Sequence, residues 1–103
     1  TDWYGSKIAV SSMLIPKEFA LQSAYPNPFN PVTNLKFGLP IDSKVSIQIY
    51  NLQGQVVSTL LNDNMQAGYH SVVWNADNHS SGIYFVQMIA GDYIHTQKIM
   101  LLK

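Results

Sequence analysis

The chain contains no cysteine. Disulfides, thiolate zinc sites and a cysteine nucleophile are therefore excluded. It also contains no arginine, and its six basic residues are all lysines, balanced by six acids to a formal net charge of zero. Phosphate recognition favours the bidentate arginine fork, and nucleic-acid binding needs excess positive charge. These absences exclude a nucleic-acid role and a polybasic membrane patch. Long apolar runs are missing too. The longest, Ile83 to Ala90, is interrupted by Gln87, whereas a membrane-spanning helix takes about 20 apolar residues. Charge is sparse at 12%, but 47% of the 103 residues are hydrophobic, the opposite of a disordered composition. One domain with a single modest core is expected.

The chain begins at Thr1 without a basic–apolar–small leader, and reads as a piece of something longer. Residues 1–18 are weakly patterned and are expected to be a linker from an upstream domain, with residues 19–103 as the folded unit. Phe19 to Tyr25 reads as a first edge strand. Pro26-Asn27-Pro28-Phe29-Asn30-Pro31 forbids helix and central strand alike. Each X-Pro step favours an extended predecessor, so a stiff crossing is expected, with Phe29 plugging the core.

Six further strands are read from alternation and turn signals. Asn34–Leu39 places Leu35, Phe37 and Leu39 on one face. Val45, Ile47 and Ile49 alternate with Ser46, Gln48 and Tyr50, and Asn51–Gly54 turns into a partner strand over Gln55–Leu61. Asn62–Gly68 reads as a polar loop, Tyr69–Asn75 as a strand and Asp77–Gly82 as a second loop. Ile83–Ile89 is apolar on both faces except Gln87, which predicts a central strand. Ala90-Gly91-Asp92 is a tight turn into a closing strand over Tyr93–Leu102. No window reads as helix. About seven short strands in this length predict an all-β chain, an immunoglobulin-like antiparallel β-sandwich, with a small barrel as the alternative. Phe37, Ile47, Ile49, Val72, Trp74 and Val86 are the expected interior.

Chemistry is thin. His70, His79 and His95 form no metal-binding or catalytic spacing, and His70 is expected to be structural beside Val72 and Trp74. The acids lie at turns, strand ends and in the linker, and no spacing suggests a carboxylate pair. No nucleophile elbow or phosphate loop is present. Asn75, Asp77 and Asn78, and Asn62 to Asn64, offer oxygens, but in turn-former order rather than calcium-loop order. Asn78-His79-Ser80 matches the short N-glycosylation pattern. Trp3, Tyr50, Tyr69, Tyr84 and Tyr93 allow a carbohydrate-stacking alternative, although tyrosines are ordinary strand residues. No enzyme activity, cofactor or metal is expected.

The motifs converge on a resemblance. Tyr25-Pro26-Asn27-Pro28-Phe29-Asn30-Pro31 followed by Val32–Phe37, the Ile49-Tyr50-Asn51-Leu52-Gln53-Gly54 hairpin, Ala67–Ala76, Ser81–Phe85, and Gly91 with Lys98–Lys103 occur in the order of the C-terminal sorting domain of the type IX (Por) secretion system. From about residue 15 to 103 the chain resembles that family. Ser80-Ser81 before Gly82 and the short Asp77–Ser81 loop are small departures. The related domain of the flagellar hook-capping protein shares the glycine-led end motif but keeps a longer aspartate-rich turn. The resemblance implies a seven-strand sandwich that directs an upstream cargo domain across the outer membrane to the cell surface or medium. The implied partners are an outer-membrane translocon and a sortase-like peptidase that removes the domain and attaches cargo to lipopolysaccharide. Pro26, Asn27, Pro28, Gly82, Tyr84, Gly91, Lys98 and Lys103 are the residues expected to take part in translocon recognition. The closing strand is expected to offer an edge to the receptor. A structural or carbohydrate-binding accessory module of a secreted enzyme is the alternative.

Overall fold

A computed structural model describes residues 15–103. The expectations for Trp3 and the rest of residues 1–14 lie outside the described residues. Seven strands and no helix are present among them: β1 (Ala20–Leu21), β2 (Val32–Leu39), β3 (Ser43–Tyr50), β4 (Val56–Met65), β5 (Gly68–Asn75), β6 (Gly82–Ala90) and β7 (Tyr93–Leu101). They form two antiparallel sheets, ordered β1-β2-β5 and β4-β3-β6-β7. This is the expected sandwich.

Alternation explains the layers. Leu35, Phe37 and Leu39 of β2, Val45, Ile47 and Ile49 of β3, and Val86 and Met88 of β6 are fully buried between the sheets. Their odd-numbered or even-numbered neighbours face outwards, as the pleat requires. β6 lies between β3 and β7, the central place its two-sided apolar pattern predicts. Val72 is a correction. It is only half-buried, because β5 is an edge strand and nothing among the described residues covers its free side.

The expected Asn62–Gly68 loop is also corrected. β4 runs on through Asn62, Asp63 and Asn64, paired with Ser46, Val45 and Lys44. The turn is displaced to Gln66-Ala67, where the Ala67 amide donates to Asp42 Oδ1 at 2.8 Å. Continuous pairing with β3 overrides the turn preference of the Asn-Asp-Asn run.

Two glycines carry geometric demands. Gly91 turns β6 into β7 at φ +59°, a conformation that costs an L-residue about 1–2 kcal/mol. Gly91→Ala is expected to lower stability by about that amount in a denaturant titration, with the sheet intact. Gly38 has a different reason. A Cβ there would stand 2.7 Å from Cγ of the buried Pro16. The incoming chain therefore crosses the outer face of the first sheet in a notch that only glycine leaves open.

Candidate functional site: the seam between the proline segment and the closing strand

Residues 22–31 run along one flank of the sandwich and close it. Pro26, Asn27 and Pro28 are exposed, but Phe29 between them and β2 is 2% exposed. The Tyr25-Pro26, Asn27-Pro28 and Asn30-Pro31 peptide bonds are cis. Thr33, wholly buried at the start of β2, donates its hydroxyl to the Pro26 carbonyl at 2.8 Å. That bond satisfies a polar group which would otherwise be costly to bury.

Two carboxamides join this segment to β7 reciprocally. Asn27 Nδ2 donates to the Lys98 carbonyl at 3.2 Å, and Asn27 Oδ1 accepts from the Met100 amide at 3.0 Å. In return, Gln97 of β7 accepts from the Ala24 amide at 2.9 Å and donates to the Gln22 carbonyl at 2.8 Å. Each side chain presents a donor and an acceptor as a peptide group does, so each stands in for a missing strand. The Phe29 main chain continues the ladder, donating to Met100 O and accepting from Leu102 N–H. The Tyr93 hydroxyl accepts from the Leu21 amide at 3.1 Å. The outward edge of β7 is thus occupied from Lys98 to Leu102. This corrects the expectation that the whole closing strand offers a free edge.

Beneath the seam, Phe29 packs on Trp74 with ring centroids 5.5 Å apart, and Trp74 meets Tyr84 edge-on at 5.3 Å. The Tyr84 hydroxyl donates to the Ser80 carbonyl at 2.7 Å. The chain end is tied to the same place. The Lys103 amide donates to Ser81 Oγ at 2.9 Å, and its ammonium meets the Asp77 carbonyl.

The residues expected at a recognition site fall into three groups. Pro26, Asn27, Pro28 and Lys98 share the seam. Gly82, Tyr84 and Lys103 gather at the adjoining end, where Gly82 pairs with Leu101. Gly91 lies at the far end of the β6–β7 hairpin, roughly 30 Å away at about 3.3 Å per residue. Tyr84, 8% exposed, is packed against Trp74. Lys98 points outward, opposite Phe85 of β6. Sequence reasoning missed Gln97. The signal was its place on the inward-facing row with Ile99 and Leu101, where an amide needs a partner.

Other side chains have structural duties. His70 stacks on Phe37 at 5.4 Å, and its Nε2 lies 2.7 Å from the Gln66 carbonyl. Asn75 Oδ1 caps its own turn by accepting from the Asp77 amide. The tyrosines do not share a face. Tyr50 bonds Gln48 and Gln87 on the outer side of the larger sheet, Tyr93 stacks on Phe19, and Tyr69 is exposed on the other sheet.

Residues 23–102 match the family described as the secretion system C-terminal sorting domain. The chain belongs to this sorting-domain family. It is a C-terminal sorting signal of the type IX secretion system, a non-catalytic class of domain, and its carrier is a secreted or cell-surface protein. No curated protein matches. Among solved structures the chain is similar to PorZ, a bacterial surface component of the type IX system of Porphyromonas gingivalis. The two share 17% identity at a TM-score of 0.56, over 82% of this chain. That likeness shows the fold. The sorting domain spans 12% of the PorZ chain.

Asn27→Ala removes two seam hydrogen bonds. At about 0.5–1.5 kcal/mol each, a loss of about 1–3 kcal/mol is expected, with faster hydrogen exchange at the Met100 amide as its local signature.

Proposed function

We propose that the domain is a folded, passive address, recognised by the outer-membrane translocon at the seam end of the sandwich. A sortase-like peptidase then separates it from an upstream cargo that stays on the surface or is released. The observation that supports this reading is the gathering of motif residues Pro26, Asn27, Pro28 and Lys98 along one flank, fastened by side chains rather than left as mobile chain. The linker to the upstream cargo covers residues 1–18, and Pro16 within it lies against Gly38.

Lys98 separates recognition from architecture. It is the one charge in the otherwise uncharged β7, and its side chain is exposed and makes no hydrogen bond among the described residues. A lysine on an edge strand can serve simply to deter aggregation. Lys98→Gln keeps the backbone carbonyl that Asn27 uses, so thermal stability stays within about 0.5 kcal/mol. In a type IX-competent host, a reporter carrying Lys98→Gln is expected to accumulate in the periplasm. Surface delivery equal to the parent would assign Lys98 to edge protection alone.

A further inference from the structure

Four strands edge the two sheets, and three of them are guarded. β1 has only two residues, and its flank is sealed by Tyr93 and Gln97. The Lys98–Leu102 part of the β7 edge is taken by Asn27 and Phe29, and the side chains of Tyr93 and Gln97 tie the rest of it to residues 21–24. β4 carries two register shifts against β3 and exposes Asp63 near its end, and bulges and charges discourage pairing. β5 shows no such device among the described residues. It pairs with β2 without a register shift and contains neither proline nor a charged side chain.

The ladder fixes which of its groups are free. The Ala76 amide bonds the Pro31 carbonyl. Bonding alternates along an antiparallel pair, so the even positions of β5 face β2. The N–H and C=O of Tyr69, Ser71 and Val73 therefore point away from the sheet.

The space beside them is shaped for one more strand. The smaller sheet has three strands over the four of its partner. β1 meets β7 at one flank, so the strand lacking a counterpart across the core is β4. Val57, Leu60, Leu61 and Met65 of β4, with Val72 of β5, pack against the core yet remain half-buried. A strand beside β5 would lie across from β4 and cover them.

We propose that the free edge of β5 is a strand-acceptor site for an extended segment of a partner protein, antiparallel to β5, with uncharged and mostly apolar residues at the alternate positions facing β4. A second copy of the chain does not fit. The two-fold axis that would pair β5 with β5 carries the copy's β4 into the lane of β3. A single strand meets no such obstacle. Main-chain bonds to Tyr69, Ser71 and Val73 supply affinity, and the half-covered β4 side chains select for apolar residues.

The test uses the purified chain and a synthetic peptide copying β2, Val-Thr-Asn-Leu-Lys-Phe-Gly-Leu, the natural complement of β5. In the free protein the Tyr69, Ser71 and Val73 amides are expected to exchange rapidly. With saturating peptide they should slow by about tenfold or more, equivalent to about 1.4 kcal/mol of added protection. Met100 and Leu102 should be unchanged. Ser71→Pro removes an outward N–H without touching the β2 ladder, and is expected to abolish peptide binding. Val73→Lys, at an exposed position, should weaken it while leaving the folded spectrum intact. The inference fails if the three amides are already protected in the free protein. It also fails if the peptide shifts β7 or β4 resonances instead, or if a copy with aspartate at the four alternate positions Thr, Leu, Phe and Leu binds equally. These readouts need no export, so the sorting role and the β5 site can fail separately.

Discussion

Trp74→Ala is expected to destabilise the domain by about 3–5 kcal/mol, the usual cost of deleting a buried aromatic side chain. The magnitude follows from position. Trp74 is 2% exposed at the end of β5, and touches Phe29 from the proline segment, Tyr84 from β6 and His79 from the preceding loop. It thus joins the first sheet, the second sheet and the seam. Aromatic pairs add about 0.5–1.5 kcal/mol beyond their burial, and three rings lose a neighbour at once. A domain of this size has about 5–15 kcal/mol in total, so the variant should melt early and sit near its folding threshold. Urea denaturation followed by circular dichroism reads the loss. A change under about 1 kcal/mol would mean that Trp74 packs as a surface residue does.

Phe29→Ala is expected to cost about 3–5 kcal/mol as well, with a different local signature. The Phe29 main chain bonds Met100 and Leu102, and its ring is what holds that main chain against the core. Without the ring, the segment should lift from β7 before the sandwich unfolds. The Met100 and Leu102 amides should then exchange by local opening, well ahead of Ile99, whose bonds run to β6. Combined with Trp74→Ala the losses should be less than additive, because the two side chains share one contact. Full additivity would show that Phe29 and Trp74 act independently.

The parts of this fold that were legible in the sequence are those with local causes. The alternation of Leu35-Phe37-Leu39 and of Val45-Ile47-Ile49 fixes two core strands. The proline spacing around Phe29 marks a rigid plug, and Gly91 marks a turn. The Asn62-Asp63-Asn64 run misled because turn propensity is weak beside eight paired residues of β3. Val72 misled because alternation tells which face a residue takes, not whether a neighbouring strand covers it. The seam was legible only in part. Pro26, Asn27 and Pro28 stand out as a motif, yet the partner carboxamide on Gln97 lies about seventy residues away. Bonds between a side chain and a distant main chain leave no periodic trace. Lys103 was singled out for its place in the closing motif, and its actual partners, Ser81 and Asp77, come from a loop that propensity marks only as polar.

Surface delivery of an inert reporter fused ahead of residues 15–103 is the most direct measurement of the sorting role. In a type IX-competent host, the fusion should reach the cell surface or the medium. In an isogenic strain lacking the translocon, it should remain in the periplasm, folded and intact. Retention of the fusion in the periplasm of the competent host, while that host exports its own cargo, would contradict the account.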